Sequence, residues 1–222
     1  MTALLPTPPG RATTAPPVAV RWVDVRLVHL GSAADLAAAE RVLAPTELVR
    51  ARRGTAPVHR RRVLLRAALR GAAARHLGCR PREVPLDRTP AGRPHLPGTG
   101  LDVSCSASGV VGLVAVAAGC RIGVDVEALA PWSDDVLDEG WLAPAEQRAL
   151  RALLPAGRPQ AAARAWTVKE AVLKTHGSGL AGGPASVVTT DPLGAGWALQ
   201  EIPVPDGWVA SLVTAPEQEP TS

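Results

Sequence analysis

Phenylalanine and tyrosine are absent from this sequence of 222 residues, and six tryptophans supply all of its aromatic character. Any hydrophobic core must therefore be built from leucine, valine, alanine and tryptophan. With 46% hydrophobic and 20% charged residues, the composition is typical of a globular protein and excludes extended disorder over most of the chain. The length suffices for one full core or for two small, tightly joined halves.

Cysteine is scarce, and long apolar runs are missing. Cys79, Cys105 and Cys120 lack the spacing of a disulfide framework or a zinc site, which favours a reducing cytoplasm. The longest apolar run, 110–120, has about half the length of a membrane-spanning helix and is interpreted as a buried strand. Because the opening MTALLPTPPG has neither a basic nor an apolar signal region, we expect no export and no membrane partner.

Lysine is nearly missing as well. Of the 24 basic residues only Lys169 and Lys174 are lysines, and with 20 acidic residues the formal net charge is +4. A basic surface favours acidic partners such as phosphates, nucleic acid or an acidic protein. Solvated charge on exposed faces explains the same composition equally well until a site is identified.

Two successive blocks of helix and strand, joined near Ala118, are expected from the patterns along the chain. Residues 1–17 and the tail 215–222 are predicted to lack fixed structure. The N-terminal half then spans 18–118 and the C-terminal half spans 119–214. No sequence repeat between them is evident, so we expect any internal symmetry to be structural only.

Alternation predicts the strands, and a period of 3.6 residues predicts the helices. The first half has a strand over VAVRWVDVRLVHL, a helix interrupted near Pro45, a long helix over 57–77 that Gly78 closes, and strands over LDVSCS and VVGLVAVAA. The second half has a strand over RIGVDVE, helices from about Pro144 and from about Gln160, and a hairpin over 187–213.

The strand RIGVDVE places two carboxylates on one face. Its period of two puts Gly123, Asp125 and Glu127 on the same side, with successive side chains about 6.8 Å apart. Such a pair suits one hard cation, and Mg²⁺ is favoured because it takes oxygen ligands. Gly123 is interpreted as a point where a ligand approaches the backbone. An edge strand with solvated charges is the alternative.

The helix around WTVKEAVLK has an unusual charge pattern. Lys169 falls inside the apolar arc, and Glu170 lies at its margin, next to Lys174. Glu170 and Lys174 are four residues apart in the favourable order, so an exposed ion pair worth about 0.3 to 0.5 kcal/mol is the simplest explanation. The glycines of THGSGL end the helix and allow a tight turn beside it.

The two segments together resemble the signature of the 4′-phosphopantetheinyl transferases of the surfactin (Sfp) type. That signature is a G-[IV]-D-[IV]-E strand followed by a W-[ST]-x-K-E-[AS]-x-x-K helix and a G-x-G-L turn; here Glu170 follows Glu127 by 43 positions. Weaker similarity extends over WLAPAEQRALRAL, HRRRVLLRAALR and GRPHL. The family's FNxSHSxG strand corresponds to LDVSCSASG, where Leu101, Asp102 and Cys105 replace the phenylalanine, asparagine and histidine.

This resemblance implies an α+β fold of two similar α/β halves in a pseudo-two-fold arrangement, monomeric, with a metal site in the C-terminal half. It implies transfer of the 4′-phosphopantetheine arm of coenzyme A to a serine of an apo acyl or peptidyl carrier protein, with release of adenosine 3′,5′-bisphosphate. Coenzyme A is polyanionic and carrier proteins are generally acidic, which would account for the basic charge. The pathway of the carrier, whether fatty-acid, polyketide or peptide synthesis, stays open.

Site residues follow from the matching positions of the family. The resemblance implies Mg²⁺ ligands at Asp125, Glu127 and Glu170, with Glu170 activating the carrier serine and Lys174 neutralising the pyrophosphate. Contacts to coenzyme A are expected from Arg61, Arg93, Ser104, Cys105, Lys169 and Lys174. A neutral thiol cannot replace the histidine's phosphate contact, so Arg93 or the arginines at 60–62 would have to compensate. Lys169 either orients phosphate or extends to solvent.

Two other classes of function compete with this hypothesis. The arginines of residues 50–82 suit a basic nucleic-acid-binding module, although that stretch has no interleaved aromatic residues for stacking on bases. The same three carboxylates suit a magnesium-dependent phosphohydrolase. Salt-dependent nucleic-acid binding would identify the first, and release of inorganic phosphate from simple esters would identify the second. We expect no nucleic-acid partner.

Overall fold

The computed structural model describes residues 21–31, 36–129, 133–191 and 193–217. The segment 1–17 and residues 218–222 of the tail lie outside these residues. The strands are β1 (Trp22–His29), β2 (Asp87–Arg88), β3 (Pro94–His95), β4 (Leu101–Ser108), β5 (Val111–Ala118), β6 (Arg121–Ala128), β7 (Ala198–Glu201) and β8 (Trp208–Ala215). The α-helices are α1 (Leu36–Val42), α2 (Pro45–Ala51), α3 (Ala56–Leu77), α4 (Asp134–Leu137), α5 (Pro144–Ala152) and α6 (Arg158–His176), and 3₁₀ turns span Pro81–Glu83, Gly179–Gly182 and Pro184–Ser186.

The first sheet is antiparallel, with β5 between β1 and β4. Its central strand is buried on both faces, as the continuous apolar run predicts. Helix α3 begins with a proline in its first turn and ends before Gly78, whose φ of 64° is readily adopted only by glycine. One face of this helix packs Leu69, Ala72 and Ala73 against the sheet valines Val103, Val114 and Val116.

The second sheet is also antiparallel, in the order β6, β8, β7. Asp125 pairs with Ser211 across the first two strands, and α6 covers one face through Val168, Ala171 and Val172, which pack with Val213. The expected terminal hairpin is present as β7 and β8. It starts at Ala198 rather than at 187, because Pro184–Ser186 form a 3₁₀ turn and the residues before β7 form turns.

The two sheets share a hydrophobic core. Alternate residues of β5 face the second sheet, where Val111, Leu113, Ala115 and Ala117 pack with Ile122, Val124 and Val126 of β6. The result is a mixed α/β fold in which β4, β5 and β6 lie at the junction. Among the helices of the described residues, none has both the length and the hydropathy that a membrane span needs.

Candidate active site

The site lies where β4 of the first sheet meets the edge of β6 in the second. Side chains at alternate positions of β4 accept bonds from amides of β6: Ile122 N to Asp102 Oδ2 (2.8 Å), Val124 N to Ser104 Oγ (3.1 Å) and Ala128 N to Ser108 Oγ (3.1 Å). These bonds satisfy the edge of the second sheet with side chains of the first. We call the four residues Asp102, Ser104, Ser106 and Ser108 the β4 polar row.

The β4 polar row also orients both strand carboxylates. Ser106 Oγ donates to Asp125 Oδ1 at 2.6 Å, and Ser108 Oγ donates to Glu127 Oε2 at 2.8 Å. Asp125 is only 3% exposed, and its second oxygen, Oδ2, is buried without a hydrogen-bond partner. A buried, unpaired carboxylate oxygen is costly unless a cation or another donor reaches it.

Gly123 brings α6 against β6. A Cβ atom at this position would overlap the main-chain oxygen of Ala171 and would lie 2.5 Å from Thr175 Oγ1. The glycine therefore permits close strand–helix packing. The expectation that a ligand approaches the backbone here is wrong, because the helix occupies that space.

The close packing brings Glu170 and Lys174 of α6 to the strand carboxylates. Lys174 Nζ donates to Asp125 Oδ1 at 2.7 Å and to Val124 O at 3.2 Å, and lies 3.9 Å from Glu170 Oε2. The helix residue pair predicted from sequence is thus present, but the shorter contact of the lysine is with the strand. Glu170 is mostly buried, with 14% of its side chain exposed.

Burial and crowding of charge shift the pKa values in this cluster. Burial is the main cause that raises the pKa of Glu127, and the charges of Asp125 and Glu170 add to it. Burial likewise raises the pKa of Glu170, assisted by Asp125 and opposed by Lys174. Burial alone would favour the neutral amine of Lys174, but the charge and hydrogen bond of Asp125 and the charge of Glu170 outweigh it and raise its pKa.

The donor set fits a hard cation. Within the described residues, no three His, Cys, Asp or Glu side chains are already grouped as a metal cage. Asp125, Glu127 and Glu170 nevertheless affect one another electrostatically, and Asp125 Oδ2 has no donor. Oxygen ligands in surplus negative charge are what Mg²⁺ prefers. The ammonium of Lys174 supplies one compensating positive charge.

A cleft of about 760 Å³ opens beside this cluster. Ser104, Cys105, Glu170 and Lys174 line it, together with six arginines: Arg50, Arg53, Arg62, Arg66, Arg88 and Arg93. The remaining acidic residue of the lining is Glu47. Volume and charge suit an organic polyanion of cofactor size.

Arg61 is not among the residues that line the cleft, whereas Arg62 and Arg66 are. Arg62 donates to the main-chain oxygens of Arg50 and Arg53, which brings α3 against the end of α2. Sequence reasoning missed Arg66, although it lies one helical turn after Arg62 and that spacing places both on one face of a helix.

Two arginines of α3 turn inward. Arg70 is 2% exposed and donates to Glu47 Oε2 at 2.8 Å, while Arg66 Nε lies 2.9 Å from Glu47 Oε1. Burial lowers the pKa of Arg66, although the charge of Glu47 opposes that shift. This use of the charges weakens the nucleic-acid hypothesis, because part of the basic helix is paired internally.

Lys169 lies outside the cleft lining, which corrects the expectation that it contacts coenzyme A or extends to solvent. It is fully buried, and its ammonium donates to Glu146 Oε2 at 2.7 Å, to Pro184 O at 3.1 Å and to Val187 O. Glu146 also accepts from Ala143 N and from Thr189. These bonds use all three ammonium hydrogens, so the role of Lys169 is structural.

Comparison with known proteins gives consistent matches. A family model described as the 4′-phosphopantetheinyl transferase superfamily (ACPS) matches residues 121–208, which include the strand and helix of the site. The 4′-phosphopantetheinyl transferase HetI of Nostoc sp. is 34% identical over 194 residues, covering 82% of this chain and 81% of HetI. The protein slr0495 of Synechocystis sp., whose name assigns the same activity provisionally, is 31% identical over 161 residues, covering 68% of this chain and 64% of slr0495.

Proposed function

The chain belongs to the 4′-phosphopantetheinyl transferase superfamily, and on that premise we propose that it transfers the 4′-phosphopantetheine arm of coenzyme A to a serine of an apo acyl or peptidyl carrier protein, releasing adenosine 3′,5′-bisphosphate. The observation that carries the proposal is the cleft. Six arginines line it together with Glu170 and Lys174, and Lys174 contacts Asp125. A pyrophosphate with a reacting phosphorus requires both features.

Magnesium dependence is part of the proposal. The ion would be held by Asp125, Glu127 and Glu170. The unpaired Asp125 Oδ2 and the raised pKa values of both glutamates support this assignment. When bound, Mg²⁺ offsets the negative charge of the pyrophosphate. Ser106 and Ser108 of β4 hold the two strand carboxylates in place by hydrogen bonds.

Glu170 is the candidate base, and Lys174 assists the leaving group. The serine oxygen forms a bond to the phosphorus on the pantetheine side while the P–O bond to the adenylate side breaks. The hydroxyl proton passes to Glu170, directly or through one water. The raised pKa of Lys174 keeps it an ammonium beside the departing phosphate.

Adenosine 3′,5′-bisphosphate and coenzyme A share the phosphates that the arginines would bind. Arg62 is better placed for these contacts than Arg61, because it lines the cleft. Arg66 lines the cleft as well, but its guanidinium is already paired with Glu47. Ser104 and Cys105 lie on the strand at the same wall. The thiol of Cys105 packs partly against the core beneath α3, so its contribution is shape rather than charge.

A pseudo-two-fold relation between halves 18–118 and 119–214 belongs to the proposal, and three parallels support it. In each sheet the central strand is the last strand of one half: β5 in the first half and β8 in the second. The Glu47–Arg70 and Glu146–Lys169 pairs each span 23 residues. Each glutamate also accepts a hydrogen bond from the backbone amide three residues before it, within the segments APTE and APAE.

We further propose that the enzyme is monomeric and acts on an acidic carrier protein.

The test is incubation with coenzyme A, Mg²⁺ and an apo carrier protein, followed by intact mass spectrometry. A carrier that gains the phosphopantetheine mass supports the proposal. If no carrier gains it while a known transferase succeeds in parallel, the proposal fails. Phosphate released from simple esters, with no carrier modified, would instead favour a phosphohydrolase.

A further inference from the structure

Arg93 joins three elements with one side chain. Its guanidinium forms a bidentate pair with Asp102 of β4, with Nη1 at 2.7 Å from Oδ1 and Nη2 at 2.6 Å from Oδ2. Nη2 also donates to Ile122 O of β6 at 3.0 Å, and Nε donates to Lys174 O of α6 at 2.9 Å. These four bonds use most of the five N–H donors of an arginine.

The bond to Lys174 O caps the end of α6. The last four carbonyls of a helix have no partner inside the helix, and Lys174 O is one of them. The neighbouring Leu173 O accepts from Gly177 N. A cation at this end of a helix is favourable in itself. Arg93 therefore anchors the turn from which the Lys174 side chain extends.

Asp102 holds the guanidinium in this position. Besides the bidentate pair it accepts from Ile122 N at 2.8 Å and from Arg121 Nε at 3.3 Å. Both members are largely buried, with 10% of the Arg93 side chain and 14% of the Asp102 side chain exposed. Paired geometry of this kind fixes orientation as well as distance.

We propose that Arg93, held by Asp102, is a positioning residue that fixes Lys174 against Asp125, and that it does not bind coenzyme A. This replaces the phosphate contact expected for Arg93 from sequence. Lys174 Nζ reaches Asp125 Oδ1 and Val124 O from the anchored turn, so movement of that turn displaces the ammonium from both. The kinetic part of the test rests on the proposed transferase function, and the spectroscopic part does not.

The chain offers a direct probe, because Lys169 and Lys174 are its only lysines. Full-length protein labelled with ¹³C-lysine, without added metal and at one fixed pH, gives one ε-methylene signal from each. Arg93→Lys and Asp102→Asn should both shift the Lys174 signal. The Lys169 signal should stay in place as the internal reference, because that side chain is buried in its own pair with Glu146.

Arg88→Gln is the matched control. Arg88 lines the same cleft, but its Nη1 donates to Gly92 O at 2.7 Å, within its own turn. This variant should leave the Lys174 signal unshifted. A Lys174 signal that is equally unshifted in Arg93→Lys and Asp102→Asn would overturn the proposal, whether or not the protein transfers phosphopantetheine.

Kinetics separate positioning from binding. Both variants should lower kcat by about tenfold to a hundredfold, because the displaced Lys174 no longer assists the leaving group. A raised KM with unchanged kcat would make Arg93 a ligand of coenzyme A and contradict the proposal. Because Asp102→Asn keeps the side-chain shape and leaves Arg93 intact, it carries the test if Arg93→Lys does not fold.

Discussion

Residues of the same type have different roles in this molecule, one at the candidate active site and one in the buried core, and the two lysines show this difference. Lys174 contacts the carboxylate cluster at the cleft, whereas Lys169 is sealed in a pair with Glu146. The sequence places a lysine in an apolar arc but cannot identify its partner, because Glu146 lies 23 residues away and meets it only through the packing of α5 on α6.

The buried pair should matter for stability and not for ligand binding. Lys169→Ala leaves the Glu146 carboxylate buried without its cation, and we expect the free energy of unfolding to fall by about 3 to 5 kcal/mol. Denaturant unfolding measures this change. Coenzyme A affinity, measured by calorimetry on the folded variant, should stay within about twofold, and a tenfold loss of affinity at unchanged stability would restore the phosphate role. Lys174→Ala is the comparison, since it should weaken coenzyme A binding.

Proton and metal should compete at the carboxylates. The pKa values of Glu127 and Glu170 are raised in the folded protein, so these groups add stability below their unfolded pKa and lose it as pH rises through the raised values. As pH rises through these raised values the two carboxylates ionise and repel each other, and a divalent cation relieves that repulsion. We expect MgCl₂ to raise the Tm more at pH 7 than at pH 5, as measured by calorimetry. An equal shift at both pH values, or the same shift in Asp125→Asn, would argue against a metal at these residues.

At the scale of elements, the close packing of α6 on β6 determines the geometry of the candidate active site. Gly123→Ala forces a methyl group against Ala171 O, so the helix carrying Glu170 and Lys174 must move. We expect unfolding to become easier by about 1 to 3 kcal/mol and turnover to fall with it. Chemical denaturation and carrier-modification rates give the two readouts.

Gly71→Ala is the matched control for that substitution. Gly71 lies inside α3, and nothing approaches within 4 Å of where its Cβ would be, so alanine should stabilise the helix by about 0.5 to 1 kcal/mol. The same glycine-to-alanine substitution should therefore raise the free energy of unfolding at Gly71 and lower it at Gly123. A neutral effect of Gly123→Ala on both stability and turnover would refute the packing argument.

Local sequence patterns predicted many of the helices and strands but not the contacts between them. The alternation of RIGVDVE predicted β6, and the continuous apolar run predicted the buried β5, because side-chain period follows directly from strand geometry. The β4 polar row, the Arg93–Asp102 pair and the helix packed on Gly123 depend on which strand faces which. That information lies in tertiary packing, so no local periodicity reveals it.

At the scale of the whole molecule, the site exists only because the two sheets meet. The first sheet contributes Asp102 and the serines of β4, and the second sheet with its helix contributes Asp125, Glu127 and the end of α6. The arginine cleft extends from this junction along α2 and α3. The excess of arginine, which composition alone left unexplained, therefore has a candidate role: it would hold a polyanionic substrate against the carboxylate cluster.

The central claim, phosphopantetheine transfer through this junction, is tested most directly by intact mass of an apo carrier protein after incubation with coenzyme A and Mg²⁺. The wild-type chain should add one phosphopantetheine, and Glu170→Gln, which keeps the side-chain size, should lower the rate at least about a hundredfold while circular dichroism shows an unchanged fold. Near wild-type transfer by Glu170→Gln, or an unmodified carrier with the wild-type chain beside an active control transferase, would contradict the account.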